Sequence, residues 1–186
     1  MMNRKSPSEN GFSYIDVLIA VSILLIGVMA LVSAITYAVV GTTRNQQQLV
    51  AKQYASTTIE AIFTARDLAA KFGDTNLTWN VIGNTGSASV PAGLFPSGRQ
   101  KIYDGAGADG IVGTPDDQAG LDGTLNTADD APLVDGFERT ITITDVPDPE
   151  RPAAAITMRQ IDVTIHYFVG GRERQEVFST YIASFR

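Results

Sequence analysis

The segment VLIAVSILLIGVMALVSAITYAVV, residues 17 to 40, carries no charged residue and no proline over twenty-four positions. Coiled as an α-helix it reaches ~36 Å, enough to cross the hydrocarbon core of a bilayer with some tilt. Arg4 and Lys5 precede it, and the basic flank of a spanning helix normally stays in the cytoplasm, so the rest of the chain is expected outside. The polar stretch MMNRKSPSENG ends at Gly11 with the apolar run still to come, and nothing after Val40 resembles a signal peptidase site. The run is therefore expected to be retained. Asp16 stands at its threshold, and the plain reading is an acid in the first helical turn, favoured by the partial positive charge there.

At 186 residues and 44% hydrophobic, the chain can build one modest domain besides that helix. The absence of cysteine excludes a disulfide framework and any thiolate zinc site, and a single histidine, His166, argues against histidine-rich metal chemistry. The net charge of −6 is unevenly placed. Between Asp104 and Gly136 lie eight aspartates and no Lys, Arg or Glu, so that stretch carries −8 and the remainder +2. Acidity without a basic face argues against nucleic acid as a partner.

A short basic leader, the step Gly11-Phe12, an acid at Asp16 and an uninterrupted apolar helix pattern occur together in GFSYIDVLIAVSILLIGVMAL. This combination resembles the class III leader and N-terminal motif of type IV prepilins and the related secretion pseudopilins. Among these the opening looks most like the V-type minor pilins, the pilus-modification proteins, and next like the I-type pseudopilins. The resemblance covers about the first third of the chain by motif and the remainder only by architecture. It implies that a membrane prepilin peptidase cuts after Gly11 and methylates the new amine of Phe12. It implies that Asp16, at the fifth mature position, neutralises the terminal ammonium of an adjacent subunit when helices leave the bacterial inner membrane and pack in a filament. A buried carboxylate and ammonium are each costly alone and tolerable together. The family usually has glutamate there. Aspartate is one methylene shorter, which puts the reach to a neighbour's amine in doubt.

Beyond Val40, RNQQQLVAKQYASTTIEAIFTARDLA, residues 44 to 69, continues the helical pattern: Leu49, Tyr54, Ile59, Ile62, Phe63 and Ala69 recur near helical spacing, with Arg44, Lys52, Glu60 and Arg66 between them. One long helix is expected, loosened at Gly27 and Gly41 and ended at Phe72-Gly73. FERTITITDV (137–146), IDVTIHYFV (161–169) and EVFSTYIASF (176–185) read as strands, the last two joined by a turn at Gly170-Gly171. Another strand is expected around Leu77 to Ile82, with Trp79 as an anchor. His166, on the face opposite Ile165 and Tyr167, reads as a surface or half-buried sheet residue. The fold class is thus α+β, pilin-like: a leader at 1–11, a membrane or filament-core helix at 12–40, its amphipathic half at 41–72, Gly- and Asp-rich connecting loops at 73–136, and a small antiparallel sheet at 137–186 that covers the helix stripe.

The connecting loops hold an internal echo. DGIVGTPDD (109–117) and DGTLNTADD (122–130) share D-G-x-x-x-T-x-D-D at a spacing of thirteen. Aspartates among glycines offer hard oxygen ligands on a backbone able to fold around a cation, and a dication would relieve their repulsion. This makes Asp104, Asp109, Asp116, Asp117, Asp122, Asp129 and Asp130 candidate calcium ligands. Neither copy matches an EF-hand or a β-roll nonapeptide, however, and a solvated turn-rich loop is the competing reading. Without cysteine, a fixed loop is expected to need a cation or strand packing.

No catalytic arrangement is present in the sequence: no cysteine nucleophile, phosphate-binding loop or G-x-S-x-G elbow, and no serine and acid partners for His166. Two classes remain. One is a structural subunit of a type IV pilus or of a type II secretion pseudopilus, needing no cofactor and partnered by the prepilin peptidase and other pilins. The other is a single-pass anchored binding protein dependent on calcium.

Overall fold

The structure, a computed structural model, describes residues 13–72, 79–88, 90–151 and 155–184. Gly11, Phe12, the expected helix stop at Gly73 and the start of the strand expected from Leu77 lie outside these residues, as does the side chain of Ala69. Two compact units divide after Thr43.

A single helix, α1, covers Tyr14–Phe72 without interruption, so neither Gly27 nor Gly41 breaks it. In its first unit every described residue from Ser13 to Val40 is exposed, including Leu24, Ile26 and Met29. The few hydroxyls on this surface turn back on the backbone. Ser22 donates to the Leu18 carbonyl (2.8 Å), Ser33 to Met29 (2.9 Å) and Thr36 to Val32 (2.9 Å). An apolar helix with its polar side chains satisfied internally suits a solvent that offers no hydrogen bonds. By length and composition it is able to span a membrane.

In the second unit the later part of α1 packs on a four-stranded antiparallel sheet: β1 (Arg99–Tyr103), β2 (Leu133–Val146), β3 (Met158–Val169) and β4 (Arg172–Ala183), in that spatial order. The β3–β4 turn at Gly170-Gly171 and the alternation of β3 match expectation, with Ile161, Val163, Ile165 and Tyr167 buried on the helix side. Three expectations need correction. The loop region 73–136 contributes a strand, β1, which is too short and too polar (RQKIY) to show alternation. β2 begins at Leu133, four residues before the expected start, because the chain leaving the acidic loop pairs with Tyr103 across a bulge. The segment expected as a strand around Trp79 is a 3-10 turn, Trp79–Val81.

The helix meets the sheet along Ala51, Ala55, Thr58, Ile62 and Ala65, all fully buried. Their spacing of four, three, four and three marks one helix face. Leu49, counted in the expected stripe, is instead 66% exposed. Small residues let the backbone approach the sheet closely, and the bulk of the core comes from Phe95, Ile102, Ile111, Ile141 and the β3 side chains.

Two buried arginines on the inward parity of the strands tie irregular backbone to this core. Arg159 of β3 donates to the carbonyls of Trp79 and Ile82 (both 2.6 Å), pairs with Asp145 (2.7 Å) and lies over the Trp79 ring. Arg139 of β2 ties the acidic loop in through a side chain, the Asp117 carboxylate (3.0 Å). Beyond the end of β1, the Asn84 side chain substitutes for a strand, its amide donating to Ile141 O (2.8 Å) and its oxygen accepting from Ile143 N (2.7 Å).

Candidate functional site

Asp16 closes the N-terminus of α1. Its carboxylate accepts from the backbone N–H of Ser13 (3.2 Å), while the Ser13 hydroxyl accepts from Ile15 N (3.4 Å). This is a variant of the capping box in which the hydroxyl takes the second helical amide instead of the third, with aspartate in the place usual for glutamate. Asp16 is exposed at the head of the apolar run, so its other oxygen is open to a cation. Gly11 and Phe12, the candidate processing residues, lie outside the described residues.

The internal echo of the acidic loop is a structural repeat, hydrogen bond by hydrogen bond. In the first copy Asp116 accepts from Asp109 N (3.2 Å), Asp109 from Ile111 N (2.8 Å), and Asp117 from Gly113 N (2.9 Å) and Thr114 N (3.3 Å). Thirteen residues on, Asp129 accepts from Asp122 N (3.1 Å), Asp122 from Thr124 N (2.7 Å), and Asp130 from Asn126 N (2.8 Å) and Thr127 N (3.3 Å). Thr114 and Thr127 hydroxyls donate to the equivalent aspartates, Asp116 (2.7 Å) and Asp129 (2.8 Å). Asn126 takes φ +67° where the first copy has Gly113, an exchange asparagine tolerates better than most residues. The carboxylates thus fold the loop by accepting backbone N–H groups, a role that neither the calcium reading nor the solvated-loop reading had given them.

The two copies differ in what they face. Ile111 is fully buried, and Asp117 pairs with Arg139 at 3.0 Å with both side chains almost entirely out of solvent. Arg139 also donates to Thr58 of α1 (3.1 Å), linking loop, sheet and helix in one network. The charge that fixes this loop is the chain's own guanidinium. Burial pushes the Asp117 carboxyl above its ordinary value against the Gly113 amide and Arg139, and burial pushes Arg139 down against Asp117. In the second copy Thr124 and Leu125 are exposed and Asp130 is half-buried, with no arginine paired to it among the described residues. Hydrogen bonding from Thr127 holds exposed Asp129 below the ordinary carboxylate value.

Of the candidate calcium ligands, then, Asp117 is buried, Asp116 and Asp130 are half-buried, and Asp104, Asp109, Asp122 and Asp129 are exposed. Asp104 sits past the end of β1, its backbone N–H on Pro132 O (2.9 Å). Among the described residues no three His, Cys, Asp or Glu side chains are grouped closely enough to hold a metal ion. His166 lies on the outer face of the sheet, its Nδ1 accepting from Arg99 (2.8 Å) and its Nε2 meeting Thr140 Oγ1 (3.3 Å). Arg139 and Arg159 were absent from the sequence reading, although strand parity places each on the side of its buried isoleucine neighbours, Ile141 and Ile161. A charge on an inward position was the available signal.

No protein-family model, curated protein or solved structure matches this chain.

Proposed function

We propose that the chain is a pilin-like structural subunit: a minor pilin of a type IV pilus, or in the alternative a type II secretion pseudopilin. The observation that carries this reading is the position of Asp16. It stands five residues after Gly11 at the start of a long helix whose stretch from 17 to 40 is charge-free and exposed and whose later part belongs to an α+β head. In this reading the prepilin peptidase removes residues 1 to 11 and methylates Phe12. The helix is held in the inner membrane with its basic leader cytoplasmic, and then exchanges lipid for other pilin helices. The Ser13 N–H engages one oxygen of Asp16 and the side chain stays exposed, which supports its availability to the terminal ammonium of an adjacent subunit.

Intact mass of the protein recovered from its own cells tests this. Loss of residues 1 to 11 with one added methyl on Phe12 is the expected result. An uncut chain overturns the reading and returns the protein to the class of anchored binders.

A further inference from the structure

We propose that a cleft in the head, beside β1 and the first acidic repeat, binds a neutral saccharide. The cleft has a volume of about 570 Å³, within the ~300–1,000 Å³ of small-molecule sites. At its base are Arg139 and Asp117, each about 3% exposed. Around them stand Gln100, Lys101, Tyr103 and Gln118.

The chemistry of the lining narrows the ligand by exclusion. An apolar molecule finds Pro96, Pro115 and the Tyr103 ring, but filling the cleft would also desolvate two side-chain amides, an ammonium and an ion pair, which it cannot repay with hydrogen bonds. An anion meets a loop wall that belongs to a stretch of −8, with Lys101, among the described residues, as the lining cation outside an ion pair. A cation finds Asp117 as the lining carboxylate among the described residues, and its oxygens already accept from Arg139, Gly113 and Thr114. A neutral, hydroxyl-rich molecule suits what remains. Each hydroxyl both donates and accepts, as do the side-chain amides of Gln100 and Gln118. The half-buried Tyr103 adds a flat ring carrying a polar tip, suited to the C–H face of a pyranose. The Arg139–Asp117 pair gives the floor rigidity without net charge. This inference stands apart from the pilin reading, which concerns the helix and not the head.

The test uses the full chain in lipid nanodiscs, avoiding detergents with sugar headgroups. Saturation-transfer NMR is recorded with the methyl glycosides of glucose, galactose and N-acetylglucosamine. Transfer to the ring protons of at least one glycoside is expected, falling by about fivefold or more in Gln118→Ala, an exposed position where folding is not at stake. Tyr103→Ala should act likewise, while Gln175→Ala on the outer face of β4 should have no effect. Absence of transfer to all three glycosides overturns the proposal. So does transfer that Gln118→Ala leaves intact, or displacement of the glycoside by a short neutral peptide that itself binds more tightly.

Discussion

Asp117 and Arg139 meet at 3.0 Å in the interior of the head, twenty-two residues apart in sequence and on different elements. Thirteen residues after Asp117, Asp130 makes the same backbone hydrogen bonds without the arginine. One carboxylate motif is therefore used twice, once as an anchor and once as a solvent-facing turn. Removing one partner of a buried pair leaves the other charge uncompensated, typically at a cost of ~3–5 kcal/mol. Asp117→Ala should lower the unfolding free energy measured by urea titration by that amount, whereas Asp130→Ala loses hydrogen bonds to accessible amides worth about 1 kcal/mol. Equal losses in the two variants would contradict the assignment of the anchor to the first copy.

Asp109 offers a pH-dependent counterpart. Although its side chain reaches the surface, partial desolvation against the loop holds its carboxyl above the ordinary value of 3.8, and Asp116 and Asp117 add to the shift, against hydrogen bonds from Ile111 and Thr114. The folded chain thus binds this proton more readily than the unfolded one. Its stabilising contribution is complete below the ordinary value and is lost as pH rises through the folded value. At neutral pH the charge is a liability. Asp109→Asn keeps an oxygen to accept from Ile111 N, and should raise the melting temperature at neutral pH. The advantage should shrink to nothing near about pH 3. A variant less stable than the parent at neutral pH would reverse the sign of the argument.

Gly107 precedes the first copy as Gly120 precedes the second, each at positive φ, +58° and +63°. A Cβ on Gly107 would lie 2.6 Å from the Asp116 carboxyl carbon, and one on Gly120 2.3 Å from the Asp129 carbonyl oxygen. Gly110, also at positive φ (+70°), has open space around it. Gly110→Ala should therefore cost only the left-handed backbone penalty of about 1 kcal/mol. Gly107→Ala and Gly120→Ala should cost clearly more. Denaturant melts of the three variants separate the close approach from the dihedral.

The sheet was legible from sequence because alternation in β2 and β3 is a period-two signal written in isoleucine and valine. The repeat was legible as an echo, though not as a hydrogen-bonded fold, since nothing in D-G-x-x-x-T-x-D-D distinguishes a carboxylate that binds metal from one that accepts backbone N–H groups. The contact face of α1 was legible in part: Ile62 lies in the seam and Tyr54, Ile59 and Phe63 pack against the core, whereas Leu49 stands exposed. Large apolar residues drew the stripe toward Leu49 and hid Ala51, Ala55, Thr58 and Ala65, whose small size is what permits the close fit. Ala55→Leu should then destabilise the head by ~1–3 kcal/mol through overpacking. Leu49→Ala, at a position 66% exposed, should stay within about 0.5 kcal/mol. The reverse order would restore the larger stripe.

The aspartates of the loop also set an expectation for calcium. Asp109, Asp116, Asp117, Asp122, Asp129 and Asp130 already accept hydrogen bonds from backbone N–H groups within the loop. Among the described residues no three of these carboxylates stand close enough to share a cation, so a divalent ion would have to rearrange the loop, and at Asp117 also displace the Arg139 guanidinium. A ligand present at a hundred times its dissociation constant adds about 2.7 kcal/mol of stability, which a thermal melt resolves easily. Chelator should therefore leave the melting temperature of the head where it was, and millimolar calcium should not raise it. A calcium-dependent rise that vanishes when Asp116, Asp117, Asp129 and Asp130 are changed together to Asn would favour the anchored calcium-binding protein. It would also mean that the hydrogen bonds in these loops yield to coordination.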